Sequence, residues 1–390
     1  RKELAKVKSE GLLPLQGADA RKAFQSINGE VSADGYLDLA AKPEGRRSTF
    51  EELLEKEGAK IGTTLKVRLP NQYTVSTGAA LSAQDTSEIS STLTVSTQKH
   101  VDTNFTSAEL TMSVQDFMQR IGEPAMSVLA ANIEADALSM YKDVYNLSDE
   151  DTVAPTLLSY LKARKILNDC LAPQNGRKAV ITTAHSVKVV DNVKAIFNPV
   201  STLSDQYTEG VLGRTAGFDF FENTLLVDHT TGTAVQSSSY TVSSTITTNG
   251  LAAVTLTGAS TTWKAGDVFT VADCFRVHPE TKASTGVLQK FVVLADCTTA
   301  MTFAPAIYTS GARQNVSSTG MVSGKAIVKV GAGASETLTN SLVFHPDAFT
   351  FATADLPLPQ GCFKNAGAYC FSMSSNYNSR YKPAEVLWRS

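Results

Sequence analysis

Long apolar runs are missing from this chain. No stretch of about 18 apolar residues occurs in its 390 positions, so no segment reads as a membrane-spanning helix. The residues after Arg1 hold no apolar core of a secretory signal, and none is expected. Paired cysteines are missing as well. Cys170, Cys274, Cys297, Cys362 and Cys370 are odd in number, widely spaced and form no CxxC. Reduced thiols made in a cytosol are expected, rather than a disulfide framework or a zinc knuckle. Charge of one sign is in short supply too, with 35 Lys and Arg against 38 Asp and Glu, a net −3. A dedicated nucleic-acid binder would show a clustered basic excess. This does not exclude a protein that merely faces DNA without gripping it.

Catalytic and metal-binding patterns are also lacking. His100, His185, His229, His278 and His345 never fall three or four positions apart, and no HExxH occurs. His345, before Pro346 and Asp347, reads as a turn histidine. There is no GxSxG elbow. The run GAGAS at 331–335 lacks the Gly and Lys-Ser/Thr of a phosphate loop and reads as a flexible turn. Glu134 and Asp136 are close enough for paired acid/base work, but off the apolar stripe of a helix they are expected to be a solvated face. Lys162, Arg164 and Lys165 are expected to be another such face. The triplets at Asn104, Asn146 and Asn315 match a glycosylation pattern by chance. No catalytic residue, cofactor-binding residue or metal ligand is therefore expected, and no cofactor.

What is present is enough chain for two or three domains, 42% of it apolar. Residues 1–60 are the most charged part and read as an arm that needs a partner surface. Ser48 and Glu51 have capping-box spacing ahead of Leu53 and Leu54, which predicts a surface helix over 48–58. In 61–112, TTLKVRLP alternates through Leu65, Val67 and Leu69, and SSTLTVSTQKHV through Leu93, Val95 and Thr97. Two strands with a small, polar tip between them predict an extended hairpin. Val114, Met118, Ile121, Ala125, Leu129, Ile133, Ala137, Met140 and Val144 form one stripe. Pro124 suits a first turn, which predicts a short helix ending near Ile121 and a long one over 123–146, roughly 36 Å in length. A second amphipathic helix is expected over 154–171, a buried strand at 178–183 and a helix over 184–197.

The composition then changes. Half of residues 229–262 are Ser or Thr, and short strand-like runs recur through YTVSST, AAVTLTG, DVFTVADC, LQKFVVLAD and AMTFAP. Asn249-Gly250, Gly266-Asp267 and Gly311 separate them as turns. This predicts an all-β sandwich or barrel over 229–326, inserted into a mixed α/β domain that resumes afterwards and ends in a strand.

That order of elements resembles the fold of tailed-phage major capsid (coat) proteins, above all short-tailed phages with an inserted β-barrel. QRIGEPAMSVLAANIEADAL (119–138), TAGFDFFENTLL (215–226) with WKAGDVFTVADCFRVHPETKASTGVLQKFVV (263–293), and SLVFHPDAFTFATADLPLP (341–359) with NSRYKPAEVLWR (378–389) carry the likeness. It covers residues 60 to 390. The resemblance implies an α+β fold with an N-terminal arm (1–60), an extended hairpin loop (61–112) and a peripheral domain with its spine helix (113–175). It implies an axial domain (176–228 and 327–376), the barrel (229–326) and a C-terminal strand (377–390) returning to the peripheral domain. The implied role is a non-enzymatic shell protein of the virion, assembled in the host bacterial cytoplasm. The implied partners are itself in hexamers and pentamers, a scaffolding protein, a portal protein and packaged double-stranded DNA held non-specifically, with no membrane. A surface adhesin or decoration protein is the alternative, though helices at 113–172 argue against it; an enzyme with an unrecognised site is another.

Overall fold

The structure is a computed structural model that describes residues 12–13, 37–38, 47–49, 64–69, 71–76, 78, 89–94, 97–99, 101, 123–149, 155–193, 213–237, 239–258, 260–331, 333–355, 369–375 and 385–389. The expected helix ending near Ile121, the hairpin tip at 79–88 and most of the arm lie outside the described residues.

Helix α1 spans Glu123–Leu138, with the acidic Glu123 in its first turn, where it complements the exposed N–H groups. It is shorter than the predicted 123–146. A 3₁₀ turn, Ser139–Asp143, follows, and at Val144 the backbone is extended (φ −85°, ψ 114°). The apolar stripe continues through Val144, but a β-branched residue followed by Tyr145 and Leu147 gains more as strand. Leu147–Asp149 forms a ladder with Glu385–Arg389, and Val144, Tyr145 and Leu147 are buried.

Helix α2, Leu157–Asp169, begins with a capping box in which the Thr156 backbone N–H donates to Ser159 Oγ at 3.1 Å. It ends at Leu171, which sits at φ 60° while the Ala172 N–H reaches back to Leu167 O at 3.0 Å. The Arg177 guanidinium closes this end, donating to Pro173 O at 2.6 Å and Ala172 O at 2.7 Å. Tyr160, Ala163 and Leu167 give α2 its buried face. Helix α3 spans Thr183–Val193.

These helices pack on a six-stranded mixed sheet. In spatial order its strands are Leu147–Asp149, Glu385–Arg389, Asn340–Phe344, Lys178–Ile181, Phe218–Glu222 and Arg214–Thr215. Lys178–Ile181 runs parallel to Phe218–Glu222 and antiparallel to Asn340–Phe344. The sheet therefore takes strands from both sides of a long excursion in the chain. Asn340–Phe344 is buried along its whole length, as a central strand with elements on both faces must be.

The excursion is a closed six-stranded barrel. Its order around the circle is Tyr240–Val242, Leu251–Gly258, Ala300–Ile307, Ser284–Val293, Val268–Val277 and Ala326–Lys329. The closing strand carries the barrel three residues past the expected limit at 326. That strand is only AIVK, too short for its alternation to stand out from the polar stretch before it. Closure pairs every strand on both sides and leaves no free edge. Trp263, Phe269, Phe291 and Phe303 fill the interior, each at most 1% exposed. Phe291 lies 5.2 Å from Phe303 and 5.5 Å from Phe269, centroid to centroid, within the range of favourable ring pairs. Each ring contributes about 2–3 kcal/mol by burial alone.

Smaller sheets lie outside these two, among them the antiparallel pair Leu12–Leu13 and Leu37–Asp38. Thr64–Leu69 pairs antiparallel with Ile89–Thr94, from Thr64↔Thr94 to Leu69↔Ile89. The alternation through Leu93, Val95 and Thr97 divides at this point. Thr97–Gln98 pairs instead with Tyr369–Ser375, which pairs with Phe349–Asp355. Arg47–Thr49 also joins that sheet, parallel to Phe349–Asp355. A helix starting at Ser48 is thus corrected: Ser48 lies in a strand, because β-branched Thr49 and the open edge favour pairing, and 50–58 lie outside the described residues.

The barrel's own core and closed ladder predict that residues 229–338, expressed alone, melt cooperatively with a β-type circular dichroism spectrum. Trp263→Ala should lower that fragment's stability by about 3–5 kcal/mol in urea denaturation. A disordered spectrum from the unmutated fragment would contradict an independent barrel core.

Candidate functional site

The chain reaches the barrel and leaves it through one narrow neck. His229–Thr230 pairs antiparallel with Thr337–Leu338, His229 opposite Leu338 and Thr230 opposite Thr337. Two paired positions do not hold a module of this size by themselves. The neck is tied down by side chains.

Asp267, at the turn before a barrel strand, is fully buried. His229 Nε2 lies 3.0 Å from its Oδ1, and the backbone N–H groups of Gly232 and Lys264 donate to its Oδ2 at 3.0 and 2.9 Å. Burial alone would raise the pKa of this carboxyl. The hydrogen bonds from His229, Lys264 and Gly232 outweigh it and hold the carboxyl below its usual range, so Asp267 is a carboxylate. On the other side of the imidazole, the Tyr141 hydroxyl lies 3.5 Å from Nδ1, with the two rings edge-to-face at 5.9 Å. Tyr141 belongs to the 3₁₀ turn after α1. Incoming strand, barrel and the 3₁₀ turn after α1 thus meet at one imidazole. Gly266 is required here: at φ +98°, a Cβ would sit 2.9 Å from His229 Cε1.

Tyr, His and Asp are the residue types of a proton relay. Here all three are at most 3% exposed, and their contacts tie the incoming strand to the barrel and to the turn after α1. Further ties run beside it. Lys329, 2% exposed, donates from Nζ to Ala234 O at 3.0 Å and Gly333 O at 2.7 Å. Val268 and Val292 of the barrel pack into the core of the mixed sheet. Lys290 Nζ donates to Leu147 O at 2.5 Å.

The expectation for Glu134 is corrected. Glu134 is 1% exposed, not solvated, and its Oε1 accepts from Asn223 Nδ2 at 2.5 Å. Asn223 Oδ1 accepts from the Leu225 N–H at 2.6 Å, and the Asn223 N–H donates to Ile181 O at 2.9 Å. This clasp fastens α1 to the sheet just before the neck. Helical spacing puts Glu134 off the stripe, but the sheet covers that side of α1 as well. Burial raises its carboxyl from 4.5 to about 7, against the lowering effect of the Asn223 bond. Asp136 remains half-exposed and pairs with Lys99 at 2.5 Å. Lys162 and Lys165 are exposed, and Arg164 reaches Ala216 O at 3.4 Å.

The other singled-out residues have local roles. His185 Nδ1 lies 2.6 Å from Ser341 Oγ, and burial, with Lys188 nearby, lowers the imidazolium pKa to about 4, so the ring is neutral at pH 7. His345 Nδ1 accepts from the Asp347 N–H at 3.3 Å as a cap of the following 3₁₀ turn. His278 Nδ1 accepts from the N–H groups of Glu280 and Thr281. His100 and Asn104 lie outside the described residues. Asn146 is buried, and Asn315 bonds Tyr308 N and Ala306 O. Burial pushes the Cys274 thiol up to about 12 and that of Cys297 up to about 11, so both stay protonated. Among the described residues, no three His, Cys, Asp or Glu side chains are grouped to hold a metal ion.

Barrel and body leave a cleft of about 410 Å³ between them. Asn71–Tyr73, Tyr145–Asn146, Asp169–Cys170 and the barrel loops around 276–282 and 305–315 line it. Arg276 bridges to Asp169 at 3.4 Å and donates to Cys170 Sγ at 3.4 Å. Lys282 Nζ donates to Pro279 O at 2.6 Å, and burial holds its ammonium below the usual range. Arg313 lies over the Tyr308 ring at 4.3 Å, with its Nε buried and no acceptor in reach among the described residues.

No family model matches the chain, and no curated protein matches it. Among solved structures, it is similar to one from Mycobacterium phage Che8 at 11% identity over 89% of this chain and 93% of that one, with a TM-score of 0.42. It is similar to the mature capsid of bacteriophage PhiM1 at 8% identity over 92% and 94%, with a TM-score of 0.38. A third likeness, to the CUS-3 coat protein I-domain, has 27% identity over 24% of this chain and 96% of that one, with a TM-score of 0.20.

Two predictions follow from this geometry. Folded Glu134 holds its proton until about pH 7, whereas the unfolded chain loses it near 4.5, so folding is penalised as pH rises through that window. The interval caps the penalty at about 3 kcal/mol. Glu134→Gln should therefore be more stable than the unmutated chain at pH 8 and equal to it at pH 4, in thermal melts at both values. Separately, Asp267→Ala removes the acceptor of three hydrogen bonds and should cost about 3–5 kcal/mol in urea denaturation. Limited proteolysis should then cut first at the neck.

Proposed function

We propose that this chain is a major capsid protein that self-assembles into the icosahedral head of a tailed bacteriophage. The observation that carries the reading is the interruption of one mixed sheet by a closed barrel, entered and left through a single tied neck. The sequence stretches that resemble coat proteins fall on those parts: α1, the strand Phe218–Glu222, the barrel and the strand Asn340–Phe344. The paired strands Thr64–Leu69 and Ile89–Thr94 suit an extended loop laid on a neighbouring subunit.

In this reading residues 1–60 are the arm, 61–112 the extended loop and 113–175 the peripheral domain. The axial domain comprises 176–228 and 327–376, the barrel decorates the outer surface, and the last strand returns to the peripheral domain. Each contact between copies needs only modest strength, because a closed shell repeats it many times. A net charge of −3 suits a wall that encloses double-stranded DNA without gripping it. A scaffolding protein and a portal are the implied assembly partners, in the cytoplasm of the host bacterium. The work of such a protein is done by surfaces, and no catalysis is assigned to it.

Negative-stain electron microscopy of the purified chain, with and without the scaffolding protein of its phage, tests the reading. Uniform shells with scaffold, and spirals or tubes without it, are expected. Small discrete particles under both conditions would overturn the assignment.

A further inference from the structure

Helix α1 turns its weaker apolar side to the core. The buried residues are Ala130, Glu134, Ala137 and Leu138. Leu129 and Ile133, from the apolar stripe, are only half-buried, and Val128 is exposed. Two alanines bury little apolar area, so up to Leu138 the seat of the helix owes little to the hydrophobic effect. A carboxyl occupies the middle of that seat. Glu134 is 1% exposed, and its Oε1 accepts from Asn223 Nδ2 at 2.5 Å. The amide is fixed on the sheet side, because its Oδ1 accepts from the Leu225 N–H and the Asn223 backbone N–H donates to Ile181 O. An amide is a neutral donor. It answers a carboxylate with a hydrogen bond but supplies no opposite charge, and a buried charge without one is costly.

The charged groups nearest in the fold are engaged elsewhere. On α1, Glu123 is exposed in the first turn and Asp136 pairs with Lys99 at 2.5 Å. In the turn after α1, Lys142 and Asp143 act on each other. On the strand before Asn223, Asp219 pairs with Lys178 at 3.2 Å, and Glu222 is half-buried. None of these enters the balance at Glu134, where burial and the Asn223 bond set the pKa at about 7 in place of 4.5. We propose that Glu134 and Asn223 form a pH-sensitive latch: with its proton the carboxyl stays clasped and α1 lies on the sheet, and once the proton passes to water the carboxylate follows it into solvent and lifts this stretch of the helix. The seated form keeps its proton up to about pH 7, whereas the lifted form releases it near 4.5. Lifting is therefore favoured progressively between those values and levels off above them. The latch lies within one chain and does not depend on the capsid reading.

Hydrogen exchange read by mass spectrometry tests the latch, on the full unassembled chain at pH 5 and pH 8, with each rate divided by that of the free amide at the same pH. The amides of α1 should exchange at least about tenfold faster at pH 8, while those of the barrel strand Val268–Val277 keep their protection. Glu134→Gln keeps the shape and cannot ionise, so its α1 amides should stay at the slow rate at both values. The unmutated chain reads the latch even where that variant does not fold. Equal protection of α1 at pH 5 and pH 8 overturns the inference. So does a rise that survives Glu134→Gln, or one that the barrel shares in full, which marks opening of the whole fold rather than of one helix.

Discussion

Asp267 carries a negative charge in a place water does not reach. Desolvating a carboxylate is among the costliest acts in folding, and it is tolerated only when every lone pair is answered. Here the answers come from His229 in the incoming strand and from the backbone of Gly232 and Lys264. The barrel's position relative to the incoming chain is therefore set by a penalty, not only by attraction. Tyr141, against the far side of the same imidazole, extends the constraint to the turn after the spine helix. The short neck ladder, the close approach of Gly266 and the burial of Val268 and Val292 against the body are all conditional on it.

The two cores solve the burial problem differently. In the barrel, closure satisfies the backbone and four large rings fill the interior, so stability is local and apolar. The body mixes apolar packing with polar groups that cost energy to bury, Glu134 foremost. A protonated carboxyl bonded to Asn223 is the cheaper way to keep that group inside. Its consequence is a body that loses stability as pH rises from about 4.5 to about 7, while the aromatic interior of the barrel has no such dependence. The two modules are fastened together at the clasp and the neck, a few residues apart in sequence at Asn223 and His229.

In the proposed capsid reading, modules must hold their shape while their outer surfaces meet neighbours. The tied neck suits that need. The barrel loops around Tyr308 and Arg313 bring a cation to the cleft that Tyr145 and Asp169 line from the body.

The periodicities were enough to place α2, the start of α1, the paired strands around Leu65 and Leu93, and an inserted β region beginning near 229. Those features are local: a capping residue, a two-residue or 3.6-residue repeat, a change from mixed composition to Ser and Thr. The sequence read alone misassigned Val144–Asn146 as helix and Ser48 as a helix start, because strand partners hundreds of positions away decided both. It also misassigned Glu134 to solvent, since helical spacing says which side of a helix is apolar and not what covers the other side. His229 and Asp267 stand 38 positions apart, and Glu134 and Asn223 stand 89 apart. Neither pair forms a motif, so no pattern in the chain announces them. Local chemistry determined where α1 begins, where α2 lies and which segments alternate as strands. Only the tertiary structure decided which polar groups were taken out of water together, because that depends on long-range packing and the cost of leaving a buried charge unpaired.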